Sequence, residues 1–189
     1  MRDLIVTENI SVDGVIDLSG GWFDPQAQGE ADQSDLLAAL AGQRDAADAF
    51  LAGRVTFEQL RGYWPLQSDD QTGITDYLNQ VPKYVVSATL AGPGWEHTTV
   101  LRGPLREEIT ALKSAPGRDI VVTGSITLVH ALIAAGLVDE YRLFVYPVVA
   151  GKGARLFGGD GAGGLAGLSL AEARPFRSGV VLLRYRTRG

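Results

Sequence analysis

Short apolar runs, broken by glycine, proline and aspartate, recur along the chain, and their spacing switches between a period of two and a period near 3.6. Leu4 to Ile10 opens with the apolar triplet Leu4-Ile5-Val6 and closes on Ser11-Val12-Asp13-Gly14, the pattern of a strand buried mid-sheet and followed by a turn. A loop with two aromatics, Gly20-Gly21-Trp22-Phe23-Asp24-Pro25, leads to Leu36, Leu37 and Leu40 on one helical face, with Ser34 as N-cap. Ala49 to Ala52 is a second apolar run ending at Gly53-Arg54, after which Val55 to Leu60 turns as a helix until Gly62 and Pro65 stop it.

Beyond a polar surface loop from Gln67 to Thr75, the pattern predicts a brief helix from Thr75 to Val81, a β-branched strand from Lys83 to Ser87 and another strand around Val100. Leu105, Ile109 and Leu112 mark an amphipathic helix over Leu105 to Ser114, closed by Pro116-Gly117. Ile120 to Thr123 is an apolar strand running into Gly124-Ser125, and Ile126 to Ala135 follows as an apolar helix that ends at Gly136. Glu140 to Val149 alternates as a long strand, and Gly151 to Gly167 reads as a mobile glycine-rich connection. Leu168 to Ala173 and Gly179 to Arg186 then form an antiparallel pair. The result is a mixed α/β sheet in one domain over residues 1–189, with no internal repeat and no linker.

Composition narrows the function classes. A chain of 189 residues, 46% of them hydrophobic, supports one sizeable core and is short for two. The net charge of −5, without any basic run, argues against nucleic acid as a partner. Cysteine is absent, so disulfides and thiolate chemistry are excluded, and two histidines, His97 and His130, leave little for a metal site. Met1 to Val6 lacks the apolar region of a signal peptide, and no uncharged apolar stretch reaches the roughly 18 residues that cross a bilayer. A cytoplasmic protein without membrane contact is expected.

Two strand-to-helix junctions carry the candidate chemistry. At Thr123-Gly124-Ser125, glycine admits close approach of a ligand, and the unpaired N–H groups of the next helix attract an anion such as pyrophosphate. The same residues also serve as a plain tight turn and N-cap. Gly53-Arg54-Val55-Thr56 repeats the arrangement and adds a guanidinium suited to a phosphate monoester, although an arginine taken alone is more often a solvated surface cation. Ser87, at the end of the Tyr84-Val85-Val86 run, places a hydroxyl at a strand terminus.

Other chemistries lack their patterns. No G-x-G-x-x-G turn follows an early strand, and Gly151-Lys152-Gly153-Ala154-Arg155-Leu156 lacks the third glycine and a following helix. Gly124-Ser125 is not part of a G-x-S-x-G elbow, His130 falls mid-helix, and His97 falls in a loop, so a hydrolase triad finds no support.

The ordered set Ser11-Val12-Asp13-Gly14, Gly53-Arg54-Val55-Thr56-Phe57, Val85-Val86-Ser87 and Val122-Thr123-Gly124-Ser125 resembles the dihydrofolate reductase superfamily, and within it the riboflavin-biosynthesis reductase domain. Gly136-Leu137-Val138-Asp139-Glu140-Tyr141, with Pro147, Gly151, Gly153 and Leu156-Phe157, is similar to the signature of bacterial members. The resemblance implies a dihydrofolate reductase-like fold: a mixed, mostly parallel central sheet flanked by helices, with a C-terminal antiparallel strand pair. It implies NADPH as cofactor, held by Gly53, Arg54, Thr56, Ser87, Gly124 and Ser125, with Arg54 and Ser87 toward the 2′-phosphate. Ser125 stands where the family has a second glycine, and Phe57 where an aromatic or serine is usual. On the substrate side the resemblance points to Asp13, Trp22 and Asp32. The family's Pro-Trp pair is incomplete, since Gly21 precedes Trp22, and Asp24, Asp32 and Asp35 all compete for the role of pterin-binding acid. This disfavours folate itself as substrate.

The expected function is hydride transfer from NADPH to a small heterocycle resembling a pterin, a pyrimidine or a flavin precursor, with Trp22 and Phe23 available to stack on it. No catalytic residue and no proton donor is assigned. The competing reading is a nucleotide- or small-molecule-binding regulatory module that keeps the cleft without turnover. A homodimer is expected from the resemblance and from the apolar strand Tyr141-Arg142-Leu143-Phe144-Val145-Tyr146, whose alternating side chains exceed what one core buries.

Overall fold

The computed structural model describes residues 1–23, 32–70, 72–158 and 167–188. Strand β1 spans Leu4–Ser11, helix α1 Ser34–Ala46, β2 Ala47–Gly53, α2 Arg54–Tyr63 and α3 Ile74–Gln80. Two short strands, β3 (Lys83–Val86) and β4 (Thr98–Leu101), precede α4 (Leu105–Ser114), β5 (Asp119–Val122) and α5 (Ile126–Ala134). The chain closes with β6 (Glu140–Tyr146), β7 (Leu168–Pro175) and β8 (Val181–Thr187). Together the strands form an eight-stranded sheet in the order β4-β3-β2-β5-β1-β6-β8-β7. β4 through β6 are parallel, and β8 and β7 are antiparallel additions at the β6 edge.

The apolar triplet of β1 sits between β5 and β6, so Leu4, Ile5 and Val6 are all buried. On one face Leu4, Val6 and Ile10 pack with Ile109 and Leu112 of α4 and with Leu128, Val129 and Leu132 of α5. On the other face, Phe50 and Ala52 of β2 pack with Phe57 of α2 and Leu78 of α3, while Leu36 of α1 lies against Phe144 and Leu182. Lys83, fully buried, donates to the carbonyls of Leu78 and Val81 at 2.6 and 2.9 Å, satisfying the end of α3, and its ammonium lies over the Trp95 ring.

Several expected boundaries move for local reasons. Ser34 is the first residue of α1 and not its cap; Gln33 holds the cap position, and the Ser34 N–H is bound instead by Asp32 Oδ1 at 2.9 Å. β6 ends at Tyr146, three residues before Val149, because Pro147 offers no N–H to a ladder. Residues 151–158 are not a loose connection. Gly151 N–H donates to Asp13 Oδ2 at 3.0 Å, Ile16 N–H to the Ala154 carbonyl at 2.9 Å, and Leu156 N–H to the Gly14 carbonyl at 3.1 Å. Residues 159–166 of the same stretch, and Asp24, lie outside the described residues.

β6 is covered on both faces by its own chain: Tyr141 and Leu143 enter the core with α5, and Phe144 lies under α1. The apolarity of this strand is therefore accounted for without a second copy.

Candidate functional site

All six parallel strands end on one side of the sheet, so the residues after them form a common rim. From β1 the chain crosses to β2 and outward to β4, whereas from β5 it crosses the opposite way to β6; ligand crevices in open sheets lie where this direction reverses. Gly53 closes β2, Ser87 follows β3, Arg102 follows β4, Gly124 lies two residues past β5, and Tyr146 closes β6.

The two junctions read from the sequence interlock. Gly53 N–H donates to Ser125 Oγ at 2.9 Å, and Ser125 N–H donates to Thr56 Oγ1 at 2.9 Å. Ser125 therefore stands at the cap position of α5, yet its hydroxyl serves Gly53 and not its own helix. Gly124 and Ser125 are both left-handed, with φ of +59° and +57°. Such a conformation costs glycine little and a serine more, and the two bonds just described hold Ser125 there. Neither α2 nor α5 has a side-chain cap, so two helix N-termini present their partial positive charge to one spot.

Beneath this junction lies a carboxylic acid. Glu8 is only 4% exposed, and its Oε2 accepts from Gly124 N–H at 3.1 Å. Its Oε1 has no hydrogen-bond partner among the described residues. Burial pushes the Glu8 carboxyl well above the usual range, outweighing the Gly124 bond. The period of two signals it: Leu4, Val6 and Ile10 face the core, and Glu8 falls in the same register.

On the β3 side, Ser87 is buried and its Oγ accepts from Thr89 and Leu90 N–H at 3.2 and 3.0 Å, which leaves the hydroxyl proton to donate. Arg102 braces the same turn by donating to the Ala88 and Leu90 carbonyls at 3.1 and 2.5 Å. Nothing in the sequence pattern singles out Arg102 beyond its place directly after a strand. Arg54 heads α2 with its guanidinium half-exposed and paired with Glu58 at 2.8 Å.

Asp13, Trp22 and Asp32, which the resemblance points to on the substrate side, have less freedom. Asp13 accepts from Ser11 Oγ at 2.7 Å and from Ala150 and Gly151 N–H at 3.0 Å each; these bonds, that from Ser11 first, hold its carboxyl down at about 2. Trp22 donates its Nε1–H to the Asp17 carbonyl at 2.8 Å and meets Tyr146 edge-on at 6.0 Å, while Phe23 lies 5.2 Å from the same ring. Asp32 binds Ser34 N–H through one oxygen and Arg177 at 2.6 Å through the other, and its carboxyl is held at about 2, chiefly by Ser34. Asp35 accepts from Arg177 N–H at 3.1 Å, so both acids fasten α1 to the β7–β8 turn. Gly53, Thr56, Gly124 and Ser125 thus form one cluster, with Arg54 and Ser87 on the same rim, while Trp22 reaches the end of β6.

Residues 2–182 match the RibD C-terminal domain. The chain belongs to the RibD C-terminal domain family. Among its relatives is the protein YyaP of Bacillus subtilis (strain 168), 33% identical over 195 residues that cover all of this chain and 96% of that one. A pyrimidine reductase-like protein from Corynebacterium diphtheriae superposes with a TM-score of 0.67 at 19% identity, covering 100% of this chain and 92% of the other. Dihydrofolate reductase from Enterococcus faecalis, solved in complex with NADP(H), gives a TM-score of 0.63 at 16% identity over 99% and 97% of the two chains. The RibD C-terminal domain of this protein therefore has the dihydrofolate reductase fold, with the mostly parallel sheet and antiparallel end pair that its sequence implies. No helix among the described residues is long and apolar enough to cross a membrane.

Proposed function

We propose that the protein is a cytoplasmic NADPH-dependent reductase of a small planar heterocycle of the pterin, pyrimidine or flavin-precursor kind. The observation that supports this reading best is the pair of interlocked junctions, Gly53-Arg54-Val55-Thr56 and Thr123-Gly124-Ser125, where two uncapped helix N-termini meet at the rim. Glycine at 124 keeps the approach between the junctions clear of a side chain, which would begin 3.4 Å from the Thr56 methyl. When bound, NADPH supplies the hydride; the Enterococcus faecalis enzyme of the same fold was solved with NADP(H). In this chain the starts of α2 and α5 hold the diphosphate, Thr56 donates its hydroxyl proton, and Arg54 and Ser87 take the 2′-phosphate. This reading gives Asp13, Trp22 and Asp32 the substrate side, with Trp22 and Phe23 beside Tyr146 as the rings available for stacking.

NADPH is expected to bind more tightly than NADH. Arg54 must leave or share Glu58 to reach a phosphate, but an exposed pair of this kind is worth only about 0.3–0.5 kcal/mol, whereas a charge-assisted bond to phosphate returns roughly 1.5–3 kcal/mol. Titrations should show a preference of roughly 10- to 150-fold that Arg54→Ala largely erases. Equal affinity of the unmodified protein for both nucleotides would remove Arg54 and Ser87 from this role. Oxidation of NADPH with candidate heterocycles tests turnover; tight binding without turnover for any of them identifies the regulatory module instead.

A homodimer belongs to the same reading, resting on the family resemblance and not on β6. Sedimentation at micromolar concentration is expected to show twice the 20.1 kDa chain mass, and one species at the single-chain mass throughout refutes it.

A further inference from the structure

A carboxyl group under an anion site is an electrostatic contradiction unless it carries a proton. Glu8 is in that position. It is buried on the face of β1 that Val6 and Ile10 turn to the core, its Oε2 is fixed by Gly124 N–H at 3.1 Å, and its Oε1 finds no partner among the described residues. An ionised carboxylate so enclosed lacks both water and a cation. A neutral acid resolves this in part: the oxygen facing Gly124 accepts, and the other carries a proton with nothing yet to receive it.

We propose that nucleotide binding at the Gly124–Ser125 junction is linked to a proton on Glu8, the neutral acid removing a like charge from behind the Gly124 amide. The proposal rests on the nucleotide reading above and adds to it a titrating group which that reading does not need. A dianionic diphosphate placed at the start of α5 raises the cost of ionising Glu8, so by linkage the protonated form binds better. Where free Glu8 is ionised, binding takes up as much as one proton from solvent, and the diphosphate meets a neutral group in place of a like charge.

Other charges do not offer Glu8 an alternative partner. His130 of α5 turns Nε2 to the Arg155 carbonyl at 2.8 Å, and Arg155 itself is held by Asp13. Lys113 of α4 pairs with Asp139 at 2.5 Å, next to the start of β6 and away from the rim. Asp119 of β5 lies at the far end of its strand and binds Arg142, while Glu140 and Arg142 of β6 alternate with Tyr141 and Leu143 and so leave the opposite face. Arg54 of α2 is engaged by Glu58. Among the described residues none of these forms an ion pair with Glu8.

The test is calorimetric titration of NADPH into the unmodified protein and into Glu8→Gln from pH 6 to pH 10, each in two buffers of different ionisation enthalpy. Glutamine keeps an oxygen for Gly124 and is neutral, but has no proton to exchange. Comparison with this variant also removes the titration of the ligand itself. The expected result is an affinity for the unmodified protein that falls by as much as about tenfold per pH unit on the alkaline side, together with buffer-dependent uptake of a fraction of a proton. Glu8→Gln should bind with a flat profile and no such uptake. Binding of NADPH by the unmodified protein with neither the alkaline fall nor proton uptake overturns the linkage while sparing the nucleotide site. No binding at any pH overturns both. If Glu8→Gln does not fold, uptake by the unmodified protein above about pH 8, where the 2′-phosphate of the ligand is already fully ionised, decides the matter.

Discussion

Gly124→Val is expected to lose at least about a hundredfold in NADPH affinity, close to 2.7 kcal/mol, while the protein remains folded. The backbone at Gly124 has φ +59°, and a Cβ built there lies 3.4 Å from Thr56 Cγ2. On the proposed reading the diphosphate approaches the helix N–H groups here, and the two branches of valine add bulk beside Thr56 of α2. The same substitution places a β-branched residue in the left-handed region, at a cost of roughly 1–3 kcal/mol. Against the usual 5–15 kcal/mol of domain stability this is tolerable, and for a chain of this length it corresponds to a melting point about 2–12 °C lower. Circular dichroism and a thermal melt establish the folded state before any binding is measured. Gly124→Ala carries the strain without the branches and should fall between the two proteins in affinity. A folded valine variant with undiminished NADPH affinity would place the phosphates somewhere other than this junction.

Much of the architecture is legible in the order of residues alone. Leu4-Ile5-Val6 marks a strand covered on both faces, and β1 is indeed flanked by β5 and β6. Leu105, Ile109 and Leu112 outline α4 over the residues it occupies, because burial of one stripe dictates that spacing. Each junction also stands out on its own, as a glycine between an apolar run and a helix. What is not legible is that they meet. Gly53 and Ser125 are 72 residues apart, and only the insertion of β5 between β2 and β1 brings the Ser125 hydroxyl to the Gly53 amide. Asp13 illustrates the same limit, since a turn-forming Asp-Gly pair gives no hint that its carboxylate holds Ala150 and Gly151, 137 and 138 residues away. Glu8 is a different case. Its place on the buried face follows from Leu4, Val6 and Ile10 alone, and an acid in that register is a signal that alternation makes available.

Glu140 shows how far the β6 edge depends on a buried charge, and Glu140→Leu should destabilise the protein by about 3–5 kcal/mol. The side chain is fully buried; its Oε1 accepts from Arg142 Nε at 2.6 Å and Arg184 Nε at 2.8 Å, and Oε2 lies 3.4 Å from Arg186 Nε. Removing the carboxylate leaves Arg142, only 5% exposed, with Asp119 at 3.1 Å as its remaining acid partner among the described residues. A buried guanidinium short of a counter-charge costs more than the new leucine returns, and the melting point should drop by roughly 6–20 °C. Burial alone would raise the Glu140 carboxyl, but Arg184 and Arg142 together outweigh it and hold the group below its ordinary range. The sign of the pH effect follows. A carboxyl with a depressed value in the folded state adds stability that is fully present above the unfolded value of about 4.3 and is lost as pH falls through the folded one. The gap between the unmodified protein and Glu140→Leu should therefore be widest near neutrality and close below about pH 4. Glu140→Leu combined with Arg142→Leu should recover much of the loss, because the stranded cation is then gone and β6 gains two apolar side chains on the face it shares with Phe144. A single Glu140→Leu variant that melts with the unmodified protein at pH 7 would show that Asp119 and water suffice for Arg142, and that the carboxylate contributes no net stability to the sheet.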